Sequence, residues 1–408
     1  MGEVDALQYY QFLTEEESDR LFYRIPRPFF RDSDKELLRT SLGALLYIPA
    51  DREDIAQLLI ASKITGAAAV CICLEDAIGD GVRKKSMSNL KRQTALLEEA
   101  LEEGRINRER LPLIFVRVKD VPMLEALQDF FSGHAEILAG AVFPKVTLDS
   151  LPRYLELTAQ INRKSTQIFY AMPIIESAEF ITSTDRLRTL REYRDIVSRY
   201  GRYVLNIRVG ATDLCGMYGI RRRKSTHVHN IGIMRSCMED IIRVFAFRDE
   251  YTVSGPVWEY FTSVQEIERT GSYEEIEFLM KETALNLENG MLGKTAVHPM
   301  QLVPIQSVHT VDYEQYIDAK SIAEADPDRN GVISSDYHNK MNELRPHEIW
   351  ANKILKRAQT FGVYRPDTGC RELVELFLKH EHERRIGAAN LVEEPMRQIR
   401  ASAEEGDA

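Results

Sequence analysis

The chain has 408 residues, of which 44% are hydrophobic and 28% are charged, with ordinary numbers of glycine, proline and cysteine residues. This composition is typical of a globular protein and excludes a fibrous or largely disordered chain. A formal net charge of −10 argues against a general nucleic-acid-binding protein, because binding to phosphates favours a basic surface.

The sequence also gives an expectation about the compartment. The first thirty residues contain no apolar run of signal-peptide length, and no later segment approaches a membrane span. Five cysteines without a CxxC pair fit reduced thiols better than a disulfide framework. Cys71 and Cys73 alternate within an apolar run and are expected to be buried on one face of a strand. We therefore expect a cytoplasmic protein without membrane or nucleic-acid partners.

Residues 1–42 precede the first predicted strand and are interpreted as an N-terminal helical extension. Thr14, followed by three glutamates, predicts the start of a helix. An aromatic-rich stretch, Phe22 to Phe30, is interrupted by Pro26 and Pro28. We expect this extension to pack against the main domain.

From about residue 43 the chain repeats a unit that consists of a short apolar run, a polar turn and a longer stretch with helical spacing. This alternation is typical of parallel βα units. The apolar runs are Gly43–Pro49, Ala69–Leu74, Leu113–Val118, Gly140–Pro144, Ile168–Pro173, Tyr203–Gly210, a weaker run near Tyr251–Val253, and Thr295–His298. Eight runs predict an α/β fold, a (β/α)8 TIM barrel, over residues 43–305. A doubly wound open sheet is the alternative, which periodicity alone does not exclude.

Residues 306–408 are predicted to form a C-terminal helical region and a tail. An irregular stretch at Asp326–Asp336 leads into amphipathic helices near His347–Phe361 and Arg371–Arg385. The run from Asp326 to Tyr337 resembles a calcium-binding EF-hand loop, but Tyr337 stands where a bidentate glutamate is required. We therefore expect a polar turn there.

Ionisable residues follow five successive predicted strands. In a barrel of this kind the chemistry collects at the carboxyl ends of the strands. The residues are Glu75 and Asp76 after the second run, Arg117 in the third, Lys145 after the fourth, Glu176 after the fifth and Asp213 after the sixth. Each alone has a structural explanation as a helix cap, a solvated turn residue or an ion-pair partner.

Together, these residues favour a metal site. Several carboxylates buried near one another would have to stay protonated unless cations accompany them. Glu176 and Asp213 come from consecutive strands, about 4.8 Å apart, so both can reach one ion. Ligation by oxygen atoms alone indicates Mg²⁺, with Mn²⁺ as the alternative.

Two further polar motifs follow the sixth run. His227 and His229 are spaced to chelate zinc, but no third ligand lies nearby in the sequence. The basic run Arg221–Lys224 is interpreted either as a receptor for a phosphate or carboxylate at the mouth of the site, or as a solvated turn.

Seven segments resemble, in order, the motifs of the citrate lyase β-subunit and HpcH-type aldolase family of metal-dependent carbon–carbon lyases. They are LLYIPAD (45–51), ICLEDAI (72–78), FVRVKD (115–120), VFPKV (142–146), MPIIESA (172–178), VGATDL (209–214) and GKTAVHPMQL (293–302). The resemblance spans roughly residues 43–305. The long terminal extensions are similar to a divergent branch associated with bacterial tellurium-resistance and stress gene clusters.

The resemblance implies a Mg²⁺-dependent lyase or aldolase that acts on a small carboxylated or acyl substrate through a metal-stabilised enolate. It implies that Glu176 and Asp213 are metal ligands and that Arg117 holds the substrate carboxylate or the nascent enolate. Glu75 and Asp76 would be acids that orient both the metal-bound water and Arg117, and Lys145 would be an electrostatic group. Ala211 and Thr212 would bind the substrate. The general base is left open among Asp76, Glu75 and a metal-bound hydroxide.

Three points stay open at this stage. Ala50 stands where relatives that use acyl-CoA thioesters have glycine, so a coenzyme A thioester substrate is in doubt. A condensing enzyme similar to malate synthase and a non-catalytic barrel that serves as a binding or assembly subunit are the alternative functions. A homo-oligomer, a trimer or a hexamer, is expected. In some relatives a carboxylate from the C-terminal region closes over the site of a neighbouring subunit, and the resemblance implies that Asp326 or Asp328 does so here.

Overall fold

The computed structural model describes residues 6–328 and 330–386. Its centre is a sheet of eight parallel strands in the order 7-6-5-4-3-2-1-8. The strands are β1 (Ala44–Pro49), β2 (Ala69–Cys73), β3 (Leu113–Arg117), β4 (Leu138–Phe143), β5 (Tyr170–Ile175), β6 (Ile207–Val209), β7 (Val253–Ser254) and β8 (Lys294–Ala296). A parallel bridge between Gly255 and Lys294 joins β7 to β8 and closes the ring. The predicted TIM barrel is therefore confirmed, and the open doubly wound sheet is excluded.

The strand bounds differ from the predicted runs in the second half of the barrel. β4 begins two residues before the predicted Gly140, and β5 ends at Ile175 rather than at Pro173. β6 has only three residues, because the chain near Val204 makes a single bridge to Ala171 before the regular ladder begins. β8 ends at Ala296, since His298 already caps the short 3-10 helix that follows.

Helices follow each strand and cover the outside of the barrel. They are Ile55–Ile60, Arg83–Glu102, Val121–Ala126, Gln128–Gly133, Ser150–Lys164, Ala178–Thr182, Arg186–Arg199, Ala211–Met217, Gly232–Phe245, Val264–Thr270, Glu274–Glu288 and Leu302–His309. Among the residues described, no helix combines the length and apolarity needed to cross a bilayer.

The described segments before and after the barrel, which begin at residue 6 and end at residue 386, pack together beside it. Thr14 caps the helix Glu15–Leu21 through a capping box, as predicted, and a second helix covers Lys35–Thr40. The strand Phe22–Arg24 pairs with Val363–Tyr364 near the C-terminus. The extension therefore contains a strand as well as helices. The division into residues 1–42, 43–305 and 306–408 stays a prediction.

The C-terminal region contains the helices Tyr313–Glu324, Leu344–Phe361 and 370–386. The last two confirm the predicted helices, whereas Tyr313–Glu324 was not predicted. The stretch expected to be irregular contains the strand Val332–Ser334, which pairs with Met341–Glu343. The EF-hand-like run therefore forms part of a hairpin. Within this run, the Asp326 side chain accepts a hydrogen bond from the backbone N–H of Asp328 at 3.0 Å. The predicted tail from residue 387 onwards lies outside the described residues.

Alternate residues of each strand point to opposite faces of the sheet. One core cluster fills the barrel interior and includes Leu113, Phe115, Met172, Ile174 and Cys71. A second cluster lies between strands and helices and includes Ile114, Val116 and Ile175. Because both faces are covered, the strands read as continuous apolar runs. Cys71 and Cys73 are buried free thiols whose pKa is raised by burial.

Candidate active site at the carboxyl ends of the strands

The two-residue period of the strands directs three ionisable side chains to the mouth of the barrel. Arg117 continues the interior face of Leu113 and Phe115, and Glu176 continues that of Met172 and Ile174. Glu75 stands in the same relation to Cys71 on β2. All three side chains are buried, with exposed fractions of 8% for Arg117, 2% for Glu176 and 5% for Glu75.

Arg117 is the centre of a carboxylate cluster. Its Nη2 lies 2.7 Å from Glu75 Oε2, 3.1 Å from Asp76 Oδ2 and 3.3 Å from Glu176 Oε1. Its guanidinium also lies over the Tyr47 ring, 5.8 Å from the centroid. Despite burial, the surrounding acidic groups raise the pKa of Arg117, so the side chain stays charged. Its Nε is buried and has no hydrogen-bond partner within the described part of the chain.

Lys145 binds the cluster through both its backbone and its side chain. Its φ of 49° lies in the left-handed region, which is uncommon for a residue other than glycine. Its backbone N–H donates to Glu176 Oε1 at 3.1 Å. Its Nζ lies 2.7 Å from Glu75 Oε1, 3.2 Å from Asp76 Oδ1 and 3.4 Å from Asp213 Oδ1. These acidic neighbours raise the pKa of Lys145.

Glu176 directly follows β5, and Asp213 lies in the first turn of the helix after β6. Lys145 contacts both carboxylates, Glu176 through its backbone N–H and Asp213 through its Nζ. The Glu176 side chain is 3% exposed and the Asp213 side chain 28%, so one carboxylate is buried and the other reaches solvent. Burial, together with the Asp213 charge, raises the pKa of Glu176 to about 8. The Arg117 charge and the hydrogen bond from the Lys145 backbone oppose this shift.

The site contains more carboxylates than cations. Four carboxylates, those of Glu75, Asp76, Glu176 and Asp213, surround the two cations Arg117 and Lys145. These six side chains carry a formal charge of −2 when all are ionised. In the described ranges, no group of three or more His, Cys, Asp or Glu residues is arranged to hold a metal.

Gly210 is a site residue that the sequence analysis missed. A Cβ at this position would lie 1.8 Å from Glu176 Oε2 and 2.5 Å from Glu176 Cβ. Glycine therefore lets the β6 end approach the Glu176 side chain. The signal was present in VGATDL, but its meaning depends on a contact between two strands.

Ala211 and Thr212 begin the helix that carries Asp213. Ala211 is buried, whereas Thr212 is exposed and its Oγ1 donates to Glu259 Oε1 at 2.9 Å. Both residues directly precede Asp213 in the sequence. Their predicted role in substrate binding stays a prediction.

The remaining polar motifs have structural contacts away from this cluster. Arg222 is neither a free anion receptor nor a solvated residue, because its Nη1 lies 2.7 Å from Glu282 Oε2, which is fully buried. Lys294 Nζ lies 2.8 Å from the other oxygen of Glu282. His229 Nε2 is hydrogen-bonded to Asn286 Oδ1 at 2.7 Å. The basic run thus includes a buried ion-pair residue, which sequence spacing does not reveal.

Asp326 and Asp328 are exposed, and Asp328 Oδ1 lies 3.0 Å from Arg345 Nη2. Their predicted contact with a neighbouring subunit, and the oligomeric state itself, stay predictions.

Several solved structures are similar to this chain. CitE from Mycobacterium tuberculosis, in complex with magnesium, acetoacetate and coenzyme A, is 16% identical, with a TM-score of 0.52, covering 78% of this chain and 99% of that chain. The M. tuberculosis citrate lyase β subunit with oxaloacetate and magnesium is 16% identical, with a TM-score of 0.43, covering 66% and 98%. Malate synthase from Haloferax volcanii, as a lead(II) complex, is 16% identical, with a TM-score of 0.47, covering 64% and 71%.

At these identities the structural likeness concerns the fold. A comparison with curated proteins found no match. The family comparison is more specific, because a model described as C–C bond lyase of the TIM-barrel fold matches residues 36–363. This match confirms the resemblance to carbon–carbon lyases that the strand-end motifs predicted. The chain therefore belongs to the C–C bond lyase family of the TIM-barrel fold.

Proposed function

We propose that this carbon–carbon lyase depends on Mg²⁺ and cleaves a small carboxylated or acyl substrate. The observation that carries the proposal is the cluster of four carboxylates around Arg117 and Lys145, which has a formal charge of −2 when all six side chains are ionised. A divalent cation would neutralise that charge. Mn²⁺, which also takes oxygen ligands, is expected to substitute.

Glu176 and Asp213 would hold the metal, and Lys145 fixes Glu176 through its backbone N–H. When bound there, the ion would polarise the substrate's carbonyl oxygen as a Lewis acid. Of these two residues, Asp213 has the more exposed side chain, at 28%.

Arg117 would hold the oxygen on which negative charge develops. When a bond β to a carbonyl breaks, its electron pair stays with the carbon beside the carbonyl and gives an enolate. The buried Nε of Arg117 has no partner among the described residues, and a positioned guanidinium donor stabilises an oxyanion more strongly in a site that excludes water. Arg117 is already oriented by three carboxylates, so little reorganisation is required.

The proton of the substrate's hydroxyl must leave as the bond breaks. Glu75 and Asp76 are the carboxylates beside Arg117 and Lys145 that can accept it. Lys145 stays protonated because its pKa is raised, so it is suited to orient these carboxylates rather than to act as the base.

Calorimetric titration of Mg²⁺ tests the metal ligands. Wild type is expected to bind one ion, and Glu176→Gln and Asp213→Asn are expected to weaken binding at least tenfold, which corresponds to about 1.4 kcal/mol. Asp80→Asn is the matched control, because Asp80 follows β2 at the same rim with a side chain that is 80% exposed. Unchanged binding in both ligand variants would contradict the assignment.

Turnover assays then address the substrate. A panel of 3-hydroxy acids and their coenzyme A thioesters is incubated with and without Mg²⁺, and the carbonyl products are measured. We expect metal-dependent cleavage that Arg117→Lys reduces strongly, because lysine cannot replace the planar guanidinium. Cleavage of the free acids but not of the thioesters would exclude coenzyme A from the substrate.

A further inference from the structure

A large cavity lies at the end of the barrel opposite the candidate active site. Its volume is about 1130 Å³. The cavity is lined by residues that precede the amino ends of three strands: Thr40 before β1, Thr252 before β7 and Leu292 before β8. Its outer walls come from the barrel helix Glu274–Glu288 and the C-terminal helices Leu344–Phe361 and 370–386. Sites for small molecules typically have volumes of about 300–1,000 Å³.

One wall of this cavity is an apolar stripe. Ile276, Met280, Ala284 and Leu287 all line it and follow the spacing of a single helix face. Across from them, the helix 370–386 contributes Val374 and Leu378, and Leu344–Phe361 contributes Ile354 and Trp350. An apolar face of this length would normally be covered by protein. Here it faces a space large enough for a hydrocarbon chain.

The other end of the cavity, called here the cationic end, is lined by four cations and two carboxylates: Arg39, Lys353, Lys356 and Arg357, with Asp249 and Asp312. Arg39 lies 2.8 Å from Glu36 Oε2 and 2.9 Å from Asp249 Oδ2. Lys356 contacts the same two oxygens at 3.2 and 3.1 Å, and Lys353 lies 3.9 Å from Asp249 Oδ1. Three cations thus share two carboxylates. Lys353 has the longest of these contacts and lines the cavity.

Arg357 lies one helical turn after Lys353 and also lines the cavity. It is 8% exposed, and its Nε and Nη2 both donate to the His309 carbonyl oxygen, at 3.2 and 3.1 Å. Burial lowers the pKa of Arg357 to about 10, although Asp312 opposes the shift. Burial also lowers the pKa of Lys353. Among the described residues, Arg357 thus donates to a backbone carbonyl rather than to a carboxylate, and the carboxylate contact of Lys353 is 3.9 Å long.

We propose that this cavity is a binding site for an amphipathic monocarboxylate, with the carboxylate at Lys353 and Arg357 and the hydrocarbon chain along the helix Glu274–Glu288. The head group would supply the negative charge that the cationic end lacks. The chain would cover the apolar stripe, and each buried methylene is expected to tighten binding about fourfold. This site is separate from the carboxylate cluster, so its test does not depend on the proposed activity.

The test measures binding of dodecanoate, below its critical micelle concentration, to the full-length protein by calorimetry and by Trp350 fluorescence. Trp350 lines the cavity and is 37% exposed, whereas Trp258 is fully buried. We expect saturable binding of one molecule, weaker binding of octanoate, and binding of dodecylamine at least tenfold weaker than that of dodecanoate. Equal affinity for the amine and the carboxylate would overturn the assignment of the cationic end.

Variants locate the site. Ala284→Phe fills the space beside the apolar stripe. Lys353→Met removes the positive charge but keeps an unbranched apolar side chain of similar length. Each variant should weaken dodecanoate binding at least tenfold. Lys320→Met, an exposed lysine on the neighbouring helix Tyr313–Glu324, should leave it unchanged. Melting curves confirm that each variant is folded. If wild type does not bind dodecanoate, or if Ala284→Phe binds it as tightly as wild type, the proposal is wrong. A dimer that forms through this cavity and excludes dodecanoate would also refute it.

Discussion

Replacing Gly210 by alanine tests the geometry on which the metal site depends. The φ of Gly210 is −99°, outside the left-handed region that favours glycine. Any effect must therefore come from the new methyl group. That group would lie 1.8 Å from Glu176 Oε2, whereas real Cβ contacts essentially never fall below 3.0 Å. Glu176 must retreat by about an ångström or more, or the β6 end must move.

Either movement should damage the site more than the fold. Overpacking of this kind costs about 1–3 kcal/mol of stability. A displacement of about 1 Å at reacting groups costs on the order of 100-fold in rate. The shift would also weaken the hydrogen bond from the Lys145 N–H, which is 3.1 Å long. We therefore expect Gly210→Ala to remain folded with a slightly lower melting temperature and to lose most of its affinity for Mg²⁺.

Mg²⁺ calorimetry and thermal unfolding are measured on the same preparations. Gly216→Ala is the matched control, because a Cβ there meets no described atom within 4 Å outside its own helix backbone and chain neighbours. This control should bind Mg²⁺ normally and gain about 0.5–1 kcal/mol of helix stability. If Gly210→Ala binds Mg²⁺ as wild type does, Glu176 is not held against Gly210 as a ligand, and the reasoning is refuted.

Two predictions concern buried ionisable groups outside the site. Glu282→Gln removes a carboxylate that pairs with Arg222 and Lys294, and should cost about 3–5 kcal/mol at pH 7 in urea unfolding. Because the pKa of Glu282 is lowered, its stabilisation is present above its usual pKa of 4.5 and is lost as the pH falls. The two proteins should therefore converge in acid, and a constant difference down to pH 3 would contradict this. Burial lowers the pKa of His309 from 6.5 to about 3. Between pH 7 and pH 4 the unfolded chain therefore binds a proton that the native state excludes. The melting temperature should consequently fall as the pH drops through this range. His309→Gln should have a flatter profile, and equal slopes would show that His309 is not responsible.

The sequence was sufficient for the fold class because the barrel strands are buried on both faces. Such strands appear as continuous apolar runs, and a polar residue at the end of a run marks the rim. The prediction was weakest where pairing is short. β6 has three residues and β7 has two, so packing against their neighbours, rather than local pattern, decides where they begin and end. The hairpin at Val332–Ser334, whose strands have three residues each, was also missed. The helix Tyr313–Glu324 was missed because it buries only Asp318, Ala319 and Ile322, which do not form a clear apolar pattern.

The sequence by itself determined which ionisable side chains stand at the carboxyl ends of the strands, since a period of two fixes the face to which each residue points. It did not determine distances across the barrel mouth. Only the tertiary structure decided that Lys145 turns its backbone N–H to Glu176, that Gly210 makes room for that carboxylate, and that Arg222 pairs with Glu282. It also decided that helices far apart in the chain enclose a cavity. These contacts join residues separated by tens to hundreds of positions, and their geometry is set by packing of the whole domain rather than by any local pattern.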